Sequence, residues 1–153
     1  MQTHAQLTPP VQSQGVRGPV TCITWIQQRD PSKEMLCYGT GLGYLVLWRR
    51  DGRMFEELVA RRIGTGTGTE ILAIASDGSL AESARIVLGT RDRLVQVHRV
   101  DSRTQLHPVF SIQLSITVPW RVSFVDNAAR DVYVFGIYNG QMCALFNSSR
   151  CRF

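Results

Sequence analysis

The sequence predicts an all-β protein built from repeated antiparallel sheets, and three observations lead to this prediction. From Val20 onward, short runs rich in Val, Ile, Leu, Tyr, Phe and Trp alternate with clusters of Gly, Asp, Asn and Ser, the pattern of strands and turns. Part of this pattern recurs along the chain, as repeat proteins do. Of the 153 residues, 44% are hydrophobic and 19% are charged, a composition that excludes a disordered or collagen-like chain.

The first 18 residues differ from the rest of the chain. They are rich in Gln and Pro and show no apolar periodicity, so residues 1–18 are predicted to form a disordered arm. The arm lacks the basic region and apolar run of a secretory signal. No later stretch approaches the roughly 18 apolar residues of a membrane span. We therefore expect an intracellular protein, cytoplasmic or nuclear, without a membrane segment.

The apolar runs after the arm predict the strands in order. One segment, Asp51–Ile63, has apolar residues at helical spacing and could by periodicity alone form an amphipathic helix. The runs are Val20–Ile26, Met35–Gly39, Tyr44–Arg49, Phe55–Ile63, Ile71–Ala75, Arg85–Gly89, Leu94–Val100, His107–Leu114, Arg121–Val125, Val132–Ile137 and Gln141–Phe146.

The repeat decides between helix and strand for that segment. The stretches that begin at Cys37 and Val87 align at a spacing of 50 residues, and a third copy contains Gly136. A unit of this length made of short strands indicates a propeller or solenoid array, so each unit is predicted to be a four-stranded antiparallel blade. In this register Asp51–Ile63 matches a segment whose Pro108 and β-branched residues favour a strand.

The motifs of the repeat resemble those of the WD40-repeat β-propeller family. Val20–Trp25 is similar to the first strand of that repeat. Gly89–His98 is similar to the second strand end, the turn Asp and the third strand, with His98 in place of the usual Trp, whereas Tyr44–Trp48 keeps the Trp. The resemblance runs from Gly18 to the C-terminus and implies a WD40-like propeller fragment.

Two departures from the family pattern affect what the resemblance implies. The Gly-His dipeptide before the first strand is replaced by Gly18-Pro19 and Thr69-Glu70, so no blade is expected to have the complete hydrogen-bond network of His, Ser or Thr, Asp and Trp. The units 19–68, 69–117 and 118–153 make two full repeats and a third that ends after its third strand. We expect an incomplete, open array that needs further blades or another chain to close, and that is marginally stable alone.

The sequence contains no recognisable catalytic, cofactor or metal motif. The four cysteines form no CxxC pair, and none of the three histidines belongs to an HExxH or GxSxG pattern. The GTGTGT segment at 64–69 lacks a following GK[ST] and precedes a predicted strand rather than a helix. We therefore predict that the protein is not an enzyme and takes no cofactor.

The net charge of +5 comes from sixteen arginines and one lysine against twelve acidic residues. The arginines are spread along the chain among acidic residues rather than interleaved with aromatics in one cluster, and such a modest charge favours solubility more than recognition. Nucleic acid is thus an unlikely partner. A nucleic-acid-associated propeller remains the alternative function.

The leading function is a non-catalytic scaffold that binds protein partners. The resemblance implies docking on the face that carries the turns between second and third strands and the starts of the first strands. Arg, Tyr and Trp dominate binding hot spots, and this favours Arg91, Trp120 and Tyr138 among the candidates. The candidate partner-binding residues are Arg91, Trp120, Tyr138, Glu70, Leu72 and Thr21.

Overall fold

The computed structural model of the chain describes residues 15–30, 34–63, 69–78, 84–101, 103–125, 131–138, 141–142 and 145–147. This part of the chain forms β-strands and contains no helix. The strands are β1 Val20–Ile26, β2 Met35–Thr40, β3 Tyr44–Asp51, β4 Met54–Arg62, β5 Ile71–Ser76, β6 Arg85–Thr90, β7 Leu94–Val100, β8 Leu106–Gln113, β9 Pro119–Phe124, β10 Asp131–Tyr138, β11 Gln141–Met142 and β12 Leu145–Asn147.

These strands form three antiparallel sheets, which we call blades. Blade 1 has the strand order β1-β2-β3-β4, and blade 2 repeats it as β5-β6-β7-β8. In blade 3, β9 pairs with one edge of β10, while the short strands β11 and β12 both pair with β10. The predicted all-β class with antiparallel blades is confirmed. Within the run predicted at Gln141–Phe146, the described residues form β11 at Gln141–Met142 and the first part of β12 at Leu145–Asn147.

The segment with helical periodicity is a strand, as the repeat predicts. β4 pairs along its length with β3, and Gly52 turns the chain between them with φ of 60°. A β-bulge interrupts the β3–β4 ladder between Leu47 and Trp48, and blade 2 has the same bulge between Val97 and His98. A bulge shifts the two-residue alternation by one position, which explains why the strand pattern is hard to read here.

The blades stack through their faces, with the first strands side by side. β5 packs against both β1 and β9. The first junction, between blades 1 and 2, is filled by Leu, Ile and Met side chains, and the second junction, between blades 2 and 3, mainly by Val. Buried residues of the first junction include Met35, Leu45, Leu47, Ile71, Ile86 and Leu88, and those of the second include Val87, Val95, Val97, Val122, Val132 and Val134.

In blades 1 and 2, the glycine next to the end of the second strand lets the following blade approach closely. A Cβ added to Gly39 would lie 2.6 Å from Cγ2 of Ile71, and one added to Gly89 would lie 2.8 Å from Cβ of Pro119. Ile71 and Pro119 begin the first strands of the following blades. The repeated glycine is therefore explained by sheet-to-sheet contact, because any side chain would separate the blades.

Only the end of the predicted N-terminal arm falls within the described residues. Residues 15–18 lead into β1, with Gly15 and Gly18 at φ of 76° and 75°. Arg17 is ion-paired with Glu57 of β4 at 2.7 Å, so this part of the arm is held against blade 1. Residues 1–14 lie outside the described residues, and the arm and the unit boundaries stay predictions.

Candidate protein-binding surface

In blades 1 and 2, a backbone hydrogen bond joins the turn between the second and third strands to the residue that precedes the first strand. In blade 1 the N–H of Gly41 donates to the carbonyl of Pro19 at 2.9 Å, and in blade 2 the N–H of Arg91 donates to the carbonyl of Glu70 at 2.9 Å. The same backbone bond thus recurs in both blades. It places the side chain of the turn residue beside the start of the first strand.

The turn of blade 2 is held by its own hydrogen-bond network. Asp92 accepts hydrogen bonds from the hydroxyl groups of Thr90 and Thr69, the latter at 3.0 Å. Thr90 in turn accepts from the N–H of Leu94 at 3.2 Å. Arg93 has the left-handed φ of 70°.

Three of the predicted partner-binding residues come together at this turn. Nε and Nη2 of Arg91 lie 2.6 and 2.5 Å from the same carboxylate oxygen of Glu70. The guanidinium carbon of Arg91 lies 5.8 Å from the ring centre of Trp120, which is the second residue of β9 in the next blade and is 50% exposed. We call Glu70, Arg91 and Trp120 the turn cluster.

The turn cluster contributes little to the stability of the fold. The Arg91 side chain is 56% exposed, and an exposed ion pair contributes about 0–1 kcal/mol. An exposed cation–π contact adds about 0.5–1 kcal/mol. The cluster nevertheless holds a cation and an indole in a fixed arrangement that a partner can contact.

The other three predicted residues have different surroundings. The hydroxyl of Thr21 lies 3.1 Å from the carbonyl of Gly39 and 2.5 Å from that of Ile71, so it links blade 1 to blade 2 rather than lying free on the surface. Leu72 is half-buried on β5. Tyr138 ends β10, and its side chain lies outside what the structure describes. Their roles in partner binding stay predictions.

Many arginine side chains are engaged with acidic groups or backbone carbonyls. Arg61 donates to the carbonyl of Leu106 at 3.0 Å across the first junction, and Arg93 donates to the carbonyl of Ser115 at 2.5 Å. Ion pairs with acidic residues within the described residues include Arg17–Glu57, Arg49–Glu56, Arg50–Glu34 and Arg91–Glu70.

The two histidines in the described ranges, His98 and His107, are each hydrogen-bonded to a neighbouring side chain. His98 is buried with Nε2 at 3.2 Å from Oε1 of Gln96. Burial, assisted by the charge of Arg61, lowers the pKa of His98 to about 4. Exposed His107 lies 2.7 Å from Asp101. Within the same ranges, no group of three His, Cys, Asp or Glu side chains could hold a metal ion.

The two cysteines within the described residues, Cys22 and Cys37, have thiols that are poorly suited to act as nucleophiles. Cys22 and Cys37 are free, and burial raises the pKa of both. A thiol with a raised pKa is a weak nucleophile because the thiolate is the reactive form. Cys143 and Cys151 lie outside the described residues. The absence of an enzyme activity and of a cofactor stays a prediction.

Sequence reasoning missed two interactions next to the predicted residues. Thr69, in the dipeptide that replaces Gly-His, bonds to Asp92 and supplies part of the network that we expected to be incomplete. Its position directly before Glu70 is a signal that could have been used. The contact of Arg17 with Glu57 had no such signal, because the two residues are 40 positions apart.

The fold is similar to solved structures of WD40 propellers. The chain aligns with a structure of RRP9 WD40 repeats with a TM-score of 0.60 and 15% identity, covering 90% of this chain and 41% of that one. It aligns with a structure of U3-55K with a TM-score of 0.55 and 15% identity, covering 75% of this chain and 34% of that one. This is a WD40-like propeller fold. The predicted resemblance is confirmed at the level of the fold.

A third solved structure has a similar fold. A protein from Lactobacillus plantarum aligns with a TM-score of 0.54 and 14% identity, covering 84% of this chain and 41% of that one. The propeller described here thus spans about two fifths or less of the length of the chains that it matches. No protein-family model and no curated protein matches the sequence. Among the described residues, no helix has the length and hydrophobicity needed to cross a membrane.

Proposed function

We propose that this chain is a protein-binding scaffold whose partner docks on the turn cluster. The observation that carries the proposal is the position of Arg91, which is paired with Glu70 and lies over the half-exposed ring of Trp120. Trp and Arg are the residue types enriched among binding hot spots. Because both blades 2 and 3 contribute, a partner that covers the cluster would contact two rigid sheets at once.

The chemistry of the cluster indicates what the partner offers. Arginine has five N–H donors, and Glu70 receives those of Nε and of Nη2. A partner carboxylate or backbone carbonyl can accept the remaining donors, while an apolar side chain packs on Trp120. Covering the cluster would remove water from the ion pair and the ring, which strengthens their contribution to binding.

Affinity capture with matched baits tests this proposal. The wild-type chain, Trp120→Ala and Arg91→Ala are compared with Trp25→Ala, a control whose Trp is 55% exposed on β1 of blade 1. We expect the wild type and the control to retain the same protein, and both cluster variants to lose it while keeping the wild-type melting temperature. Retention of that protein by both cluster variants would contradict the proposal.

Salt dependence separates the scaffold from the nucleic-acid alternative. Binding of a labelled DNA or RNA duplex through phosphate contacts falls log-linearly and steeply with salt concentration. Docking on Trp120 depends on that side chain and only mildly on salt. If duplex binding is tight at physiological salt and insensitive to Trp120→Ala, the nucleic-acid function replaces the scaffold.

We also infer that the three blades are completed by further blades, from this chain or another. In blades 1 and 2, the face that points along the stack packs against the next blade. On blade 3 this face carries Tyr133 and Phe135, whose rings lie 6.2 Å apart and which are 38% and 36% exposed. Size-exclusion chromatography with a thermal melt tests this inference, and a monodisperse monomer that melts cooperatively would contradict it.

A further inference from the structure

The first junction encloses a histidine on its blade 2 side. His98 lies on β7 directly opposite Ile86 of β6, and Ile86 belongs to the apolar cluster between blades 1 and 2. Directly opposite residues of an antiparallel pair share one face of the sheet, so His98 faces blade 1. Its side chain is buried. Blade 1 has Trp48 at the equivalent position, so the repeat itself does not require a titratable group here.

The imidazole ring of His98 has a hydrogen-bond partner on one nitrogen only. Nε2 lies 3.2 Å from Oε1 of Gln96, whereas Nδ1 is buried and has no partner within the described residues. A neutral ring has one N–H donor and one acceptor nitrogen. With Nε2 as the donor to Gln96, a proton added to Nδ1 would create a buried donor without an acceptor, which is costly.

Arg61 extends from β4 of blade 1 into the same region. Its Nη1 donates to the carbonyl of Leu106 in blade 2 at 3.0 Å, so it crosses the first junction. Its positive charge also acts on His98. A protonated His98 would therefore be repelled by the group that links the two blades.

The other groups around His98 do not supply an opposite charge. On blade 1, Arg49 and Glu56 are paired with each other at 3.2 Å, and Cys37 is a thiol whose pKa is raised by burial. On blade 2, the residues opposite His98 on the two neighbouring strands are Ile86 and Pro108, which carry no charge. An imidazolium here would thus lie beside a like charge, without a carboxylate partner among the described residues.

We propose that the first junction is an acid-sensitive joint, in which protonation of His98 separates blade 1 from blade 2 while the second junction stays closed. Opening brings the imidazole into water, where both nitrogens find partners. The buried core of the second junction consists of apolar side chains. Each junction of a repeat array contributes its own term to stability, so one junction can open alone. The turn cluster joins blades 2 and 3 and takes no part in this joint.

The direction of the pH dependence follows from the two states of the junction. Burial, assisted by the charge of Arg61, lowers the pKa of His98 from 6.5 to about 4 in the closed junction. The open form binds the proton more tightly, so a fall in pH below 6.5 favours opening. The open population is expected to rise about 30-fold between about pH 7.5 and about pH 5.

The thiol of Cys37 reports this opening. Cys37 is fully buried in the first junction, and Cys22→Ala, Cys143→Ser and Cys151→Ser leave it as the one cysteine of the chain. Its rate of reaction with an aromatic disulfide, divided by that of free cysteine at each pH, is expected to rise about 30-fold from about pH 7.5 to about pH 5. The matched probe is Val97→Cys in an otherwise cysteine-free chain, because Val97 is buried in the second junction. No rise is expected there, and an equal rise at both positions would overturn the proposal.

Variants of the two basic groups test the cause of the opening. His98→Gln keeps a polar side chain that does not titrate and is expected to abolish the rise in Cys37 labelling, whereas His107→Gln, at an exposed histidine, should keep it. Arg61→Gln removes the like charge and is expected to give a smaller rise, which covers the case in which His98→Gln does not fold. An undiminished rise in either His98→Gln or Arg61→Gln would overturn the proposal.

Discussion

The two junctions of the stack share one backbone arrangement and differ in their side chains. Around the turn of blade 1 the equivalent positions are Pro19, Gly41 and Leu72, whereas around the turn of blade 2 they are Glu70, Arg91 and Trp120. The backbone hydrogen bond that fixes each turn has the same length, 2.9 Å, in both blades. The shared backbone of the repeat therefore sets the position of each turn. The side chains that differ between the repeats determine the chemistry of the surface there.

The two junctions also differ in the side chains that are buried between the blades. The first junction is packed with long aliphatic side chains, and the second is packed mainly with Val. The larger side chains bury more apolar area, and burial stabilises by about 25 cal/mol per Å². The first junction is thus expected to be the more stable of the two, and four predictions test the comparison.

The largest effect is expected for core truncation. Leu47→Ala in the first junction removes a fully buried side chain and should cost about 3–4 kcal/mol of unfolding free energy. Val134→Ala in the second junction should cost about 2 kcal/mol, because it removes fewer buried carbons. Urea unfolding of both variants measures the two costs. A larger cost for Val134→Ala would reverse the predicted order of the junctions.

The second effect concerns His98, which takes the place of Trp48 in the repeat. Its pKa is lowered to about 4 in the folded chain from 6.5, so the unfolded chain binds a proton first as the pH falls. Above about pH 6.5, where His98 is neutral in both states, it should not reduce the free energy of unfolding. Between pH 6.5 and pH 4, the free energy of unfolding is expected to fall by up to about 3 kcal/mol.

Chemical unfolding at a series of pH values measures this loss. His98→Gln should flatten the dependence between pH 6.5 and 4, while the control His107→Gln, at an exposed histidine, should keep it. Asp101 has its pKa lowered by backbone and His107 hydrogen bonds, so its contribution is lost only at more acidic pH. An unchanged slope in His98→Gln would show that another group is responsible.

The third effect tests the close approach of the blades. Gly39→Ala and Gly89→Ala place a methyl group against Ile71 and Pro119 at under 3.0 Å, and overpacking of this kind costs about 1–3 kcal/mol. The control Gly41→Ala meets Pro19 at 3.3 Å and is expected to be nearly neutral. Thermal unfolding compares the three, and a neutral Gly89→Ala would indicate that the second junction is loose.

The smallest effect on stability is expected from exchanging the turn residues. Arg91→Gly gives blade 2 the residue of blade 1 and should lower the unfolding free energy by no more than about 2 kcal/mol, because the exposed ion pair contributes about 0–1 kcal/mol and the cation–π contact about 0.5–1 kcal/mol. The same variant should lose the partner that the wild type captures. Stability loss well above that limit would mean that the turn cluster is structural.

The sequence by itself predicted most of the fold and part of the surface. The spacing of Gly39 and Gly89 and the alternation of apolar residues located the strands, because side-chain period and turn chemistry are local properties. The repeat then correctly assigned β4, whose own periodicity is helical. The resemblance to the WD40 repeat then picked out Arg91, Glu70 and Trp120 as candidate docking residues.

Only the tertiary structure decided which of these residues act together. Thr21 and Trp120 occupy equivalent positions, yet the Thr21 hydroxyl bonds to carbonyls between two blades while Trp120 is half-exposed beside Arg91. Arg17 meets Glu57 across 40 residues of chain, a distance over which no local pattern operates. Local periodicity determines strands and turns, but contacts between blades depend on the neighbour that each face meets, and this information is distributed over the whole stack.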